Sequence, residues 1–406
     1  MKLFLSLVSI FFSTSVFAVL NFETNHAKEV NLLRSFDINP SFLNDPTLNR
    51  IKEQKRERYK QQYFFKTMND AYIFIPLVKK MISDSGVPNE ILYLAMAESN
   101  FSTRAYSKKK ASGMWQFMPY TGRIYGLKID DYVDERRDLV KSTEAAVKYL
   151  SALHKKFGKW YLAAIAYNCG EGRLRRAINK AGTDDLDVLL DPKRKYIPAE
   201  SRRYIRKIIA LALLGYDEAY MIENECDYLL NRGNAYSLAT VEVPAGESLV
   251  HISKMISMPV AELKKLNRHL KYDFVPPYGK TYPVYIPYIK LSDFKTKYKP
   301  AELKTMYLVH TVSSGDNLSY LGKKYGIPYK RIEDFNKLKT SRLSLKQKLI
   351  IPVNKLSGVS NTHYTVKNGD TLDSISKSFK LSIADLKKKN RLHSDIIRIG
   401  DKLSVY

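Results

Sequence analysis

Ile91-Leu92-Tyr93-Leu94-Ala95-Met96-Ala97-Glu98-Ser99-Asn100-Phe101 is an apolar run interrupted by a single carboxylate. Helical periodicity across it sets Glu98 four residues after Leu94 and three after Ala95. The spacing therefore predicts a carboxyl group on an apolar helix face. Burial disfavours the charged form and lifts a carboxyl pKa, the property a general acid needs near neutral pH. Taken alone, the same spacing favours a plainer reading, a buried glutamate satisfied by a cap or an ion pair.

On either side of this run, over 71–230, the pattern stays helical. Ser142 precedes an apolar face of Ala145, Ala146, Tyr149, Leu150 and Leu153, and is the expected helix cap. Tyr204, Ile205, Ile208, Ile209, Leu211 and Ala212 form a second face. Gly86-Val87-Pro88, Pro119, Gly126, Gly158, Gly170 and Pro198 punctuate the breaks. An all-α domain over 71–230 is expected, preceded over 19–70 by a polar, partly helical leader with no chemistry of its own.

Beyond Leu230 a repeat begins. Tyr364-Thr365-Val366-Lys367-Asn368-Gly369-Asp370-Thr371-Leu372 matches His310-Thr311-Val312-Ser313-Ser314-Gly315-Asp316-Asn317-Leu318, and more weakly Val241-Glu242-Val243-Pro244-Ala245-Gly246-Glu247-Ser248-Leu249. In each copy an asparagine (Asn390, Asn336, Asn267) stands 21 residues after the glycine, and a β-rich run follows. The pattern predicts strand, two short helices, strand. Gly369 and Gly315 allow the turn out of the first strand, and Asp370 and Asp316 are the expected helix caps. Glu247 is a poorer cap and Pro276-Pro277 lies inside the first copy, so that copy reads as degenerate.

With 406 residues the chain is long enough for several domains, and its net charge of +26 predicts attraction to a polyanion. Cys169 and Cys226 form no CxxC pair, which excludes a zinc finger, an iron–sulfur site or a disulfide-built scaffold. Two thiols 57 residues apart do not establish a bridge. Lys2, the apolar run Leu3 to Phe12, and Val16-Phe17-Ala18 read as a signal peptide over 1–18, cleaved after Ala18. No later run reaches the roughly 20 apolar residues of a membrane span. Val19 stands where a lipid anchor would need a cysteine, so neither anchor is expected. Export makes a wall polymer the favoured polyanion, and no nucleic-acid partner is expected.

Three stretches then acquire a common meaning. Glu98-Ser99-Asn100-Phe101 is followed by Ala105, Ser107, Ala111, Gly113, Gln116, Met118-Pro119 and Thr121-Gly122. Farther on come Ala166-Tyr167-Asn168-Cys169-Gly170-Glu171-Gly172-Arg173 and Ile197-Pro198-Ala199-Glu200-Ser201-Arg202-Arg203-Tyr204. In this order they resemble the soluble-lytic-transglycosylase family of goose-lysozyme-like domains. The variant Gly113-Met114-Trp115-Gln116 and the trailing repeats look most like its membrane-bound D branch. The repeats resemble LysM modules, which bind N-acetylglucosamine-containing glycans.

The resemblance implies a multi-domain α+β chain: an all-α lysozyme-like catalytic domain, then two or three βααβ LysM modules (239–290, degenerate; 308–353; 362–406) on linkers. It implies that Glu98 protonates the bond between N-acetylmuramic acid and N-acetylglucosamine, then deprotonates the muramoyl 6-hydroxyl, giving a 1,6-anhydro end without water. Ser107 would bond the carboxyl or the N-acetyl group, and Gln116 and Met118 would line the groove. Tyr167 would hold the N-acetyl group, Asn168 would brace the loop, and Glu200 would contact substrate from the opposite wall. Singly, each has a plainer reading: Tyr167 a core anchor, Gln116 a helix-end partner, Ser107 a turn former, Glu200 a residue complementing a helix dipole. Lys110 departs from the small residue usual there. The expected protein is an exported, periplasmic, wall-associated monomer whose partner is the peptidoglycan glycan strand, with no cofactor and no metal. The alternatives are a hydrolase of the same bond, using Glu200 as a second carboxylate, and a non-catalytic wall-binding protein.

Overall fold

The computed structural model describes residues 25–60, 66–67, 71–223, 238–300 and 305–354, and within 363–405 all but 367, 368, 380, 391, 393 and 399. The expected signal peptide and Cys226 lie outside them. The chain divides into two units, one holding the helical domain and most of 238–299, the other the two C-terminal repeats together with 244–247 and 276–280.

The helical domain is built from α1 (Pro46–Lys60), α2 (Ile75–Asp84), α3 (Leu92–Ser99), α4 (Pro119–Ile124), α5 (Leu139–Phe157), α6 (Trp160–Cys169), α7 (Glu171–Ala181) and α8 (Ala199–Tyr216). The longest helix, α5, is capped by Asp138, whose carboxylate accepts from Val140 and Lys141 backbone N–H groups at 3.0 and 2.9 Å. Ser142, the expected cap, instead lies buried within the helix.

α3 and α8 are buried along most of their length and pack against each other, with the Tyr93 side chain of α3 lying on Gly215 of α8. A methyl group at Gly215 would sit 1.9 Å from the Tyr93 hydroxyl, so only glycine allows this approach. That crossing brings the end of α3, with Glu98, to the first turns of α8. The segment expected as a polar leader belongs to this core: Leu32, Leu33, Phe36, Phe42, Leu48 and Ile51 are buried in it. Its sparse apolar residues are those packed inside. Asp45 caps α1 and forms a two-pronged ion pair with Arg206 of α8, at 2.7 Å. Burial works against the Asp45 carboxylate, but Arg206 and the cap hydrogen bonds hold its pKa below the usual value.

Each repeat forms a two-stranded sheet, and the two C-terminal ones are antiparallel. The first comprises β1 (Leu238–Pro244), α9 (Leu249–Met255), α10 (Val260–Leu266) and β2 (Thr281–Pro287), followed by α11 (Leu291–Lys297). The second comprises β3 (Thr305–Thr311), α12 (Leu318–Tyr325), α13 (Tyr329–Phe335) and β4 (Lys348–Asn354). The third comprises β5 (His363–Thr365), α14 (Leu372–Phe379), α15 (Ile383–Asn390) and β6 (Lys402–Ser404).

The recurring asparagine joins helix to closing strand. Asn336 donates to Ile332 and Ile350 carbonyls at 2.8 and 2.7 Å and accepts from Ile350 N–H at 2.7 Å. Asn267 does the same with Leu263 and Tyr285. The helix caps fall one residue later than expected. Asn317 and Ser248 carry out the capping, and Thr371 accepts from Ser374 N–H. Asp316 instead accepts from Ser313 N–H at 2.7 Å and bonds His310 at 2.8 Å, and Asp370 accepts from the Tyr364 hydroxyl at 2.6 Å. Both aspartates tie the turn back to the first strand.

The first repeat does not hang on a linker. Val133, between α4 and α5, belongs to its hydrophobic core and bridges to Leu270. Asp134 N–H donates to His269 carbonyl at 2.9 Å, and Lys271 N–H to Tyr132 carbonyl at 2.9 Å. The Tyr285 hydroxyl donates to Asp138, the α5 cap, at 2.8 Å in a fully buried setting. His269 is buried beside the same carboxylate, at 3.4 Å, and burial holds its pKa below the ordinary imidazole value although Asp138 opposes this.

Candidate active site

Glu98 occupies the last turn of α3, half-buried. The helix stops because Asn100 adopts a left-handed conformation (φ 53°), its N–H bonding Met96 carbonyl at 2.9 Å. Phe101 follows at φ 59°. Two successive non-glycine residues there cost about 1–3 kcal/mol each. Burial of the Phe101 ring offsets this, as does Ser99, whose hydroxyl donates to Met114 carbonyl at 2.7 Å and accepts from Ser102 N–H at 3.1 Å.

The Glu98 carboxyl meets α8. The Tyr204 hydroxyl donates to Glu98 Oε1 at 2.5 Å. Burial pushes the Glu98 pKa up to about 7; the Tyr204 hydrogen bond and Lys207 oppose this, and Glu200 adds to it. Lys207 is positioned by donating to the Ala97 carbonyl. Glu200 lies in the first turn of α8, exposed, so the second carboxylate stands in solvent while the first is half-buried.

One wall of the site is the loop 107–118. Gly113 has φ 82°, and a methyl group there would lie 1.7 Å from the Arg136 carbonyl oxygen, so the loop can lie against 134–137 only with glycine at that position. Arg136, buried, pairs with Asp134 at 2.7 Å and donates to Lys110 and Phe117 carbonyls at 2.6 and 3.0 Å. Trp115, fully buried, donates to Thr143 at 3.0 Å. Gln116 has a left-handed backbone and its amide donates to Gly113 carbonyl at 2.8 Å. Met118 is 43% exposed just before α4. Ser107 closes the turn bearing Lys108–Lys110, its hydroxyl accepting from Ala111 N–H at 3.0 Å.

The other wall is the end of α6. Tyr167 donates to Trp115 carbonyl at 2.7 Å and packs on Tyr149 and Phe117, with ring centroids 5.1 and 6.2 Å away. Burial, with Glu98 nearby, raises its pKa well above the usual phenol value, so it stays protonated. Asn168 accepts from Ser201 at 2.7 Å, tying α6 to α8. Cys169 is half-buried, has no disulfide partner among the described residues, and burial raises the pKa of its thiol. Glu98, Tyr167 and Tyr204 thus converge, with Gln116 and Trp115 on the adjoining loop. Among the described residues no group of three or more His, Cys, Asp or Glu side chains is placed to hold a metal ion.

The Transglycosylase SLT domain family matches residues 77–189, which contain Glu98, Gln116 and Tyr167. The LysM domain family matches 310–352 and 364–405, and the lytic transglycosylase MltD LysM-like domain matches 237–302. Membrane-bound lytic murein transglycosylase D of Escherichia coli K12 is 30% identical over 385 residues, covering 89% of this chain and 82% of that protein.

The chain belongs to the lytic murein transglycosylase D family.

It is a lytic murein transglycosylase that cleaves peptidoglycan glycan strands and binds them through LysM modules, an exported enzyme of the cell envelope. An autolysin of Enterococcus faecalis is 33% identical over 111 residues, 24% of this chain and 15% of that one. The 70 kDa soluble lytic transglycosylase of Escherichia coli matches at 23% identity and a TM-score of 0.29, covering 39% of this chain and 24% of that one. In this transglycosylase the sequence reading missed three contributors. Tyr204 reads as one more apolar-face residue, although its place four after Glu200 sets it on the same helix face. Lys207 and Arg136 belong to no pattern in the sequence, and only the fold brings them to Ala97 and to the loop 107–118.

Proposed function

We propose that Glu98 is the sole acid and base of a water-free cleavage. The observation that carries this reading is a half-buried carboxyl, held by Tyr204, whose pKa of about 7 leaves a large protonated fraction at neutral pH. Protonated Glu98 gives its proton to the glycosidic oxygen as the bond to the muramoyl anomeric carbon breaks. The acetamido oxygen of the same sugar bonds that carbon. The muramoyl 6-hydroxyl then displaces the acetamido oxygen and returns its proton to Glu98. Atoms balance without water, and no second carboxylate is required.

Within this reading Tyr204 orients the carboxyl and Tyr167 contacts the reacting N-acetyl group. Gln116 and exposed Met118 line the sugar groove. Asn168 braces the α6 end through Ser201, Ser107 shapes the turn beside the groove, and Glu200 reaches substrate from α8. The enzyme works as a soluble periplasmic monomer. The test is mass spectrometry of murein sacculi digested by wild type and by Glu98→Gln. Anhydro-muropeptides from wild type and none from the variant are expected; reducing ends would overturn the reading and direct attention to Glu200.

A further inference from the structure

Two adjoining clefts lie between the catalytic domain and the first LysM-like module, of about 450 and 720 Å³, and Arg104 and Arg268 line both. Arg104 ends the loop that leaves Glu98, and Ser99, the next residue after Glu98, lines the larger cleft. Arg268 follows α10 in the module, and Arg137 lines the smaller cleft. The surrounding carboxylates are already engaged. Asp134 pairs with Arg136 at 2.7 Å, Glu262 with Lys265 at 2.7 Å, and Asp273 with Lys264.

Arg104, Arg137 and Arg268 have no carboxylate within ion-pair distance among the described residues. Arg137 is oriented by Ser112, to which its Nε donates at 3.0 Å, and lies over the Tyr106 ring at 5.8 Å. Burial, then Arg104 and Arg137, hold the Arg268 pKa below its usual value, with Glu262 opposing. Three arginines left to repel one another in a concave space form a site whose energy falls when an anion enters.

We propose that this cleft binds the carboxylates of the murein stem peptide, so that the docked module completes a substrate site rather than only adding wall affinity. The proposal rests on the chain being a murein-cleaving enzyme. Each stem hangs from the muramic acid whose bond is broken. Three extended residues span about 10 Å, so a stem whose sugar sits at Glu98 has the length to leave along a cleft walled by Ser99. The guanidinium fork suits a carboxylate better than a point charge would.

The test uses the full-length enzyme and the double variant Arg104→Gln/Arg268→Gln. Three soluble tetrasaccharides serve as substrates: one bearing stems, one stripped of them by an amidase, and one whose stem carboxylates are amidated. For the double variant, KM on the stem-bearing fragment rises about tenfold at unchanged kcat, and both constants stay at wild-type values on the other two. Wild type loses a similar factor when the stems are stripped or amidated. An equal rise on all three fragments, or no rise on any, overturns the proposal. Direct binding of the same fragments separates the two readings. If wild type makes no anhydro product yet the double variant binds only the stem-bearing fragment more weakly, the catalytic reading fails and this one stands.

Discussion

Glu98 is more stable protonated in this fold than in an unfolded chain, because burial lifts its pKa from 4.5 to about 7. Below pH 4.5 both states are protonated and no penalty arises. As pH rises from 4.5 through 7 the unfolded state ionises first, and stability is lost. Glu98→Gln removes that loss. Thermal unfolding of the variant should show a gain of up to about 2–3 kcal/mol at pH 8 and none at pH 4, alongside at least roughly a thousandfold fall in anhydro-product formation. Tyr204→Phe deletes the hydrogen bond that lowers this pKa. The alkaline limb of its pH–rate profile should move to higher pH, while kcat falls about tenfold from a less well-oriented acid. An unmoved limb would mean that Tyr204 only packs.

Among the elements, the loop 107–118 is the most exacting. A side chain at Gly113 must displace the Arg136 carbonyl, and Arg136 in turn holds the loop through Lys110 and Phe117. Gly113→Ala should therefore lower stability by about 2–4 kcal/mol in a denaturant titration, at the upper end for single substitutions, and reduce activity with it. In the second LysM module one asparagine satisfies three hydrogen bonds across α13 and β4. Asn336→Ala leaves buried backbone groups without partners at about 1–3 kcal/mol each. In a core as small as Val312, Leu318, Leu321, Ile327, Ile332, Leu349, Ile351 and Val353, that is enough to melt the module near room temperature. Differential scanning calorimetry should show this transition moving alone.

The chain comprises a catalytic unit with one built-in module, and two further modules. A chain ending at 300 keeps Val133, Asp138, His269 and Tyr285 covered, and should unfold at the wild-type temperature and cleave soluble fragments normally. It should pellet less with sacculi, because residues 301–406 carry 20 Lys and Arg against 9 Asp and Glu, an excess that favours an acidic wall and weakens with salt. A chain ending at 237 strips the cover from Val133 and the α5 cap, and its melting temperature should drop by several degrees. Equal melting temperatures for the two truncations would show that the docked module adds nothing to the domain.

The helical domain was legible from 3.6-residue apolar spacing, and the modules from a glycine-to-asparagine interval repeated three times, since both patterns are local consequences of backbone geometry. Periodicity placed Glu98 on an apolar face but by itself favoured a plain buried glutamate; the three ordered motifs that resemble the transglycosylase family made it the candidate acid. Other features depended on contacts between residues far apart in the chain, which periodicity does not encode. Tyr204 reaches Glu98 across 106 positions, and Arg206 recruits a charge-rich leader into the core across 161. Tyr285 caps an interface from 147 residues away. The helix caps shifted by one residue because His310 and Tyr364, brought close by the strands, claimed the aspartates first. Sequence alone determined which elements form and which carboxyl is the candidate acid; tertiary packing decided what surrounds that carboxyl, because burial and hydrogen-bond partners exist only once distant segments meet.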